Sequence, residues 1–169
     1  MPRSKDIPLP IPYQSTLERF PEHVKAIGMI SIEMANLEIM LAEVLAAALN
    51  LPSEVAQAMY FAPQAAMARL SILEAVAEVA IPPAPRKDVN KFLGTARELI
   101  GTRNKHIHNA WAIHKETGKV QSSSLPIRKG TEKPIPISDL KHLVTRLRKL
   151  ITASTRLRPA FTTIFGAQH

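Results

Sequence analysis

The amino-acid sequence predicts an all-α fold, a helical bundle of four or more helices with a small β-hairpin inserted before the last helix. The composition is 46% apolar but only 5% aromatic, which suits a core of Ala, Leu, Ile and Met. Apolar residues recur at steps of three and four along several segments, the period of an α-helix. The 169 residues suffice for one domain with a buried core. We therefore assign residues 16–169 to a single helical domain and the Pro-rich residues 1–15 to an extended arm.

The first helix is predicted over about residues 21–50. Its apolar seam follows steps of four and three residues: Ile30, Met34, Leu37, Leu41, Val44 and Ala48. Further apolar residues lie off this seam: Ile32, Ile39, Met40 and Ala46. A helix with apolar residues on more than one side is typical of the centre of a bundle or of a surface shared with a second subunit. We therefore expect a homodimer.

Proline positions predict the next two helices. A break at Pro52 is followed by a helix over about residues 53–80, with Ser53 as its predicted N-cap. Pro63 lies inside this segment and is expected to kink or split it, because proline removes a backbone donor. The third helix is expected to start near Arg86, after a stiff connection formed by Pro82, Pro83 and Pro85.

The remaining chain is predicted to contain the hairpin and the last helix. Trp111 and Ile113 indicate a first short strand, and a second lies around Val120, after a Thr-Gly turn. The hairpin and a flexible basic loop extend over about residues 111–136. A basic helix, capped by Ser138-Asp139, is expected over about residues 138–157.

Charge is distributed unevenly along the chain. Residues 1–85 contain five Lys and Arg against nine Asp and Glu, whereas residues 86–169 contain 17 against five. A strongly basic half is typical of a protein that binds a polyanion, because phosphate contacts dominate affinity for nucleic acids. The alternative is that the acidic and basic halves form ion pairs with each other inside the fold.

Several classes of protein and site are not supported. Cysteine is absent, which excludes disulfides and thiolate metal sites. No apolar run reaches the roughly 18 residues of a membrane span, and the amino terminus does not resemble a signal peptide. We therefore expect a cytoplasmic protein without membrane association. His106 and His108, with His114 nearby, lack the further ligands of a metal site, so neither a metal ion nor a cofactor is expected.

The chemistry-bearing residues lie near the end of the third helix. Its apolar stripe continues into Arg103: Val89, Leu93, Ala96, Ile100, Arg103 and Ile107. Asn104 and His108 share a helical face through their i, i+4 relation. The forked donors of an arginine fit a phosphate, and a histidine transfers protons near neutral pH. Phosphodiester cleavage needs both functions.

The Arg-Asn-x-x-x-His spacing at Arg103, Asn104 and His108 resembles the signature of the HEPN superfamily (higher eukaryotes and prokaryotes nucleotide-binding). Leu37-Glu38, Leu51-Pro52 and Trp111 extend the resemblance over roughly residues 20–155. The resemblance implies a homodimer whose two motifs face each other, and a metal-independent endoribonuclease, as in some toxins and defence effectors. Arg103 would then bind the scissile phosphate, His108 would act as general base or acid, and Asn104 would orient the histidine or the phosphate.

A polyanion track is predicted beside this motif. The candidate RNA-binding residues lie in the basic loop and the last helix: Arg128, Lys129, Lys141, Arg146, Arg148 and Lys149. Phosphate contacts of this kind position a strand without reading its sequence. The alternative interpretation of the helical residues is an ordinary solvated face. The expected partners are RNA or a nucleotide and a second copy of the chain, with an antitoxin or another acidic protein as a further partner.

Two other functions remain open at this point. The chain is either a HEPN-like RNA- or nucleotide-binding regulatory module that cuts nothing, or a structural helical dimer that docks an acidic partner. Each motif residue also has a structural interpretation. Arg103 would pair with Glu33 or Glu38, His108 would cap the carboxyl end of the third helix, and Asn104 would be a surface residue.

Overall fold

The computed structural model describes residues 17–108, 110–113, 117–123, 133–155 and 157. After a 3₁₀ turn, five helices and three strands follow in this order: turn Leu17–Arg19, α1 Pro21–Leu49, α2 Ser53–Phe61, α3 Ala66–Ala80, α4 Pro83–Ile107, β1 Ala110–Ile113, β2 Val120–Ser123, β3 Lys133–Pro134 and α5 Ile137–Ser154. The predicted helical bundle with a hairpin before the last helix is confirmed. The predicted arm and most of the basic loop lie outside the described residues.

Helix α1 forms the centre of the bundle. It packs against each of the other four helices, most extensively against α5. All six residues of its predicted seam are buried, because the steps of three and four keep them on one face. Ala46 is buried as well, but the side chains of Ile32 and Ile39 are 55% and 45% exposed. The described residues therefore leave α1 partly uncovered on the side that these two isoleucines occupy.

Prolines set the helix boundaries, though not always where the sequence pattern indicates. Pro63 lies between α2 and α3, so the predicted split is confirmed. Helix α4 begins at Pro83 and not near Arg86. Proline is well tolerated in the first turn of a helix, because the backbone donor that it lacks has no intrahelical partner there. The three prolines after α3 therefore form the start of α4 as well as the connection to it.

The two predicted serine caps are wrong. Pro52 occupies the N-cap position of α2, and Ser53 is the first helical residue, whose hydroxyl donates to Glu43 of α1. Pro136 occupies the same position in α5, and no side chain makes a capping hydrogen bond there. Helix α5 also ends at Ser154, three residues before the predicted end.

The predicted hairpin is confirmed and carries a third strand that was not predicted. β1 pairs antiparallel with β2, and Gly118 in their connection has φ +62°, a conformation that favours glycine. The two-residue strand β3 pairs with the other side of β2. An additional bond from Ile135 N–H to the Val120 carbonyl, at 3.0 Å, extends this contact.

Ion pairs show how the helices are aligned. Helix α5 runs parallel to α1, since Lys141 pairs with Glu22 and Arg148 pairs with Glu33. Helix α4 runs antiparallel to α5, because Glu98 pairs with Arg146 while the later His106 is close enough to Asp139 to feel its charge. The carboxyl end of α4 and the amino ends of α1 and α5 therefore lie at one end of the bundle, next to the sheet. No helix among the described residues is long and apolar enough to span a membrane.

Candidate functional site

The motif lies where α4 leaves the core. The stripe that precedes it is buried: Val89, Leu93, Ala96 and Ile100. Arg103 follows in phase but is partly exposed, and Ile107 packs against the rim of the core. His108 is the C-cap residue, and its N–H donates to the Asn104 carbonyl at 3.1 Å. The stripe thus places a guanidinium at the boundary between core and solvent.

The structure brings the three predicted motif residues together. Nη1 of Arg103 lies 3.1 Å from Oδ1 of Asn104 and 3.4 Å from Nε2 of His108. Because a guanidinium only donates, the second contact is a hydrogen bond when His108 Nε2 carries no proton, that is, in the neutral tautomer protonated on Nδ1. A basic imidazole nitrogen therefore faces the cation that would hold a phosphate.

No carboxylate neutralises Arg103 within the described part of the chain. Glu33 pairs with Arg148, and Glu38 pairs with Arg69. The interpretation in which Arg103 pairs with one of these glutamates is therefore wrong. Nε of Arg103 is buried and has no hydrogen-bond partner among the described residues. Neither partner of Nη1 is a carboxylate, so the site retains a positive charge that suits an anionic ligand.

The motif is open to solvent. His108 is exposed, whereas Arg103 and Asn104 are partly exposed. A surface site of this kind admits a long polymer, which an enclosed pocket would exclude. His108 also fulfils its structural interpretation as the residue that ends α4, so its capping position and its contact with Arg103 are compatible. Asn104 contacts Arg103 and is therefore more than a surface residue.

His106 and Trp111 fix the end of α4 from the inner side. Trp111 Nε1 donates to the His106 carbonyl at 2.9 Å, which ties strand β1 to the last turn of the helix. Nδ1 of His106 is buried without a partner, and burial lowers the pKa of this histidine, against the opposing effect of Asp139. The sequence pattern did not indicate this anchoring role of Trp111, because a contact between a helix end and a strand follows no period.

His106 and His108 lie in different surroundings. His106 is partly buried and close to Asp139 at the start of α5, whereas His108 is exposed and contacts Arg103. Side chains two positions apart on a helix point to different sides. Among the described residues there is no group of three or more potential metal ligands, and His114 lies outside them.

The predicted cations of α5 are largely engaged. Lys141 lies 2.9 Å from Glu22, Arg146 binds both carboxylate oxygens of Glu98 at 3.0 and 2.8 Å, and Arg148 lies 2.7 Å from Glu33. Lys149 has no ion pair within the described ranges. Arg128 and Lys129 lie outside those ranges. Lys141 and Arg148 thus form the predicted pairs between the basic and the acidic half, whereas Arg146 pairs within the basic half, and together these pairs occupy much of the predicted polyanion track.

Comparison with protein-family models, with curated proteins and with solved structures found no match to this chain. The resemblance to HEPN proteins therefore stays a prediction based on the motif residues. What the structure supplies is their proximity at the end of one helix: an asparagine, an exposed histidine and an arginine that has no carboxylate partner among the residues described.

Proposed function

We propose that this chain is a HEPN-like endoribonuclease that cleaves RNA without a metal ion. One observation carries the proposal: Nη1 of Arg103 lies between Oδ1 of Asn104 and Nε2 of His108, with no carboxylate partner in the described chain. A cation that binds phosphate and a proton acceptor beside it are the two groups that this reaction needs most.

The reaction uses the ribose as its own nucleophile. The 2′-oxygen forms a bond to the adjacent phosphorus, and the bond from phosphorus to the 5′-oxygen of the next nucleotide breaks, which leaves a 2′,3′-cyclic phosphate. When Arg103 turns its donors to the phosphate, the lone pair of His108 Nε2 is free to accept the proton of the 2′-hydroxyl, and the leaving 5′-oxygen takes a proton from an acid. Arg103 stabilises the charge that grows on the non-bridging phosphate oxygens.

A homodimer completes the site in this proposal. Of the three motif residues, His108 alone is a histidine, whereas the reaction needs a base and an acid. Two-fold symmetry would place a second copy of the motif opposite the first, and His108 of the partner subunit would supply the acid. The exposed Ile32 and Ile39 on the central helix support a dimer, since they offer apolar surface that a partner would bury.

A module that binds RNA or a nucleotide without cleaving it is the second candidate. The presence of a single histidine in the motif favours it. In a monomer, the motif has one proton-transfer group, His108, and a phosphate bound at Arg103 would have no acid at its leaving oxygen. Such a protein would hold RNA or a nucleotide at this site. Oligomeric state and cleavage therefore have to be measured together.

The test is single-turnover cleavage of a single-stranded RNA in the presence of EDTA, with light scattering to measure the mass in solution. We expect a dimer, a cyclic-phosphate product and activity that EDTA leaves intact. His108→Ala should reduce the cleavage rate by roughly 10²–10⁴-fold, the usual contribution of an acid–base group. The matched control is His142→Ala, which removes an exposed histidine of α5 outside the motif.

Three results would contradict the proposal. Cleavage that EDTA abolishes would require a metal ion, and cleavage that persists in His108→Ala would remove the proposed base. RNA binding by a monomer of about 19 kDa without any cleavage would select the binding module.

A further inference from the structure

The exposed face of α5 is built from cations and hydroxyl groups. Lys141, Thr145, Arg148 and Thr152 follow one another at steps of four, three and four, and Arg146 and Lys149 lie beside this row. After Asp139 the helix contains no acidic residue. An open depression on this face is lined by side chains that include Thr145, Lys149 and Thr152. Cations and hydroxyl donors in this arrangement fit the oxygens of a phosphate backbone.

Neighbouring helices supply all the carboxylates that these cations contact within the described ranges. They differ sharply in burial. The Glu33 side chain on α1 is 11% exposed, whereas those of Glu22 on α1 and Glu98 on α4 are each 60% exposed. Besides Arg148, Glu33 has one weak contact, the Asn36 amide at 3.5 Å.

Burial decides which pairs a phosphate can replace. If Arg148 left Glu33, a nearly buried carboxylate would lose its counter-ion, which is strongly unfavourable. If Arg146 left Glu98, or Lys141 left Glu22, the carboxylate would return to water at little cost, because exposed ion pairs contribute little. Arg148 is therefore a fixed link between α1 and α5, whereas Arg146 and Lys141 can exchange partners.

We propose that RNA binds this face by ion-pair exchange, in which its phosphates replace the Glu98 and Glu22 carboxylates as the partners of Arg146 and Lys141. Lys149 adds a cation that has no ion pair to release within the described part of the chain. The proposal rests on the proposed function in taking RNA as the ligand. Glu98 precedes Arg103 by five residues on α4, about 7.5 Å along the helix axis, so a strand bound at Arg146 lies close to the motif. Glu98 then acts as an internal competitor that lowers RNA affinity.

The experiment compares two variants with the same change in net charge, both in a His108→Ala background so that the RNA survives. Glu98→Gln removes the competitor of Arg146. Glu54→Gln removes an exposed carboxylate of α2 that has no ion pair in the described chain. The Kd for a labelled single-stranded RNA is measured at low and at physiological salt. We expect Glu98→Gln to bind RNA about two- to five-fold more tightly than Glu54→Gln, because an exposed ion pair competes only weakly with the phosphate.

Cation variants provide the converse measurement. Lys149→Gln should weaken binding and lower its salt dependence, because one phosphate contact is lost. Lys91→Gln, on the exposed side of α4, is the matched control. Equal affinities of Glu98→Gln and Glu54→Gln would overturn the exchange while leaving cleavage at the motif intact. Tighter binding of poly-glutamate than of RNA would assign the face to an acidic protein and overturn it as well. If wild-type protein neither binds nor cleaves RNA, the proposed function fails together with this inference.

Discussion

Two arginines on adjacent helices have opposite surroundings. Arg69 on α3 pairs with Glu38 of α1, and its Nη1 donates to the carbonyls of Pro63 and Gln64 at 3.0 and 3.1 Å. Among the described residues, Arg103 on α4 contacts an amide oxygen and an imidazole nitrogen. The charge of Arg69 is thus paired inside the protein, whereas that of Arg103 has no carboxylate partner in the same part of the chain. Both arginines lie on helices with apolar neighbours, so the counter-ion distinguishes them better than the sequence pattern does.

The cluster around Arg69 (Arg69, Glu38, Tyr60 and Phe61) joins α1 to both sides of the break at Pro63. The guanidinium lies over the rings of Tyr60 and Phe61, 5.8 and 5.5 Å from their centroids. It also binds the carbonyls that follow the end of α2. These contacts replace backbone hydrogen bonds that the proline interrupts. The cluster therefore stabilises the corner between α2 and α3.

The largest expected effect separates the two arginines by activity. Arg103→Met should lose both RNA affinity and cleavage, the latter by at least about 10²-fold, because the cation binds the phosphate in the ground state and in the transition state. Arg69→Met should retain the catalytic rate of whatever protein stays folded. Single-turnover cleavage and a binding titration at a temperature where both variants are folded provide the comparison. Equal losses in the two variants would show that Arg103 has no special role.

The two variants should rank in the opposite order when their loss of stability is compared. Arg69→Met leaves Glu38 nearly buried without a counter-ion, which should lower the free energy of unfolding by about 3 kcal/mol. Arg103→Met leaves no carboxylate of the described residues without a counter-ion and should change the free energy of unfolding by less than about 1 kcal/mol. Urea unfolding measures both. The double variant Arg69→Met/Glu38→Gln should recover part of the loss, and a double variant no more stable than Arg69→Met would show that the unpaired charge is not the cause.

An alkaline titration gives a smaller effect. Burial, with a further contribution from Glu38, raises the pKa of Tyr60 to about 12. The unfolded phenol ionises near pH 10, so the contribution of Tyr60 to stability is complete below that pH and falls between pH 10 and 12. The loss should reach about 2–3 kcal/mol and should be missing in Tyr60→Phe. Phenolate absorbance reports it directly, since Tyr13 is the only other tyrosine. Two tyrosines that both ionise near pH 10 would contradict the burial of Tyr60.

The sequence predicted the helices where one period dominates. Ile30, Leu37 and Leu41 on α1 and Leu93 and Ile100 on α4 are all buried as their spacing indicated. The errors lie where proline and serine have more than one use. Proline both interrupts a helix and begins one, so the start of α4 was placed too late. Strand β3 is only two residues long and contains a proline, so no alternation of apolar and polar residues predicts it.

The site was predictable as a set of residues but not as an electrostatic environment. The spacing of Arg103, Asn104 and His108 along one helix brings them close, because successive turns are near each other. The partner of Glu33 is 115 positions away at Arg148, and helical periodicity contains no information about such a pair. For this reason the sequence offers Glu33 as a candidate partner for Arg103, although in the fold Glu33 pairs with Arg148.

Because of the hydrogen bond from Trp111 to the last turn of α4, the intrinsic fluorescence of the protein reports on this region. Trp111 is the only tryptophan of the chain, and its indole N–H donates to the His106 carbonyl, two residues before His108. All indole emission therefore originates beside the motif. If RNA binds the motif as proposed, its binding should change the intrinsic fluorescence of the unmodified protein, without a label on either binding partner.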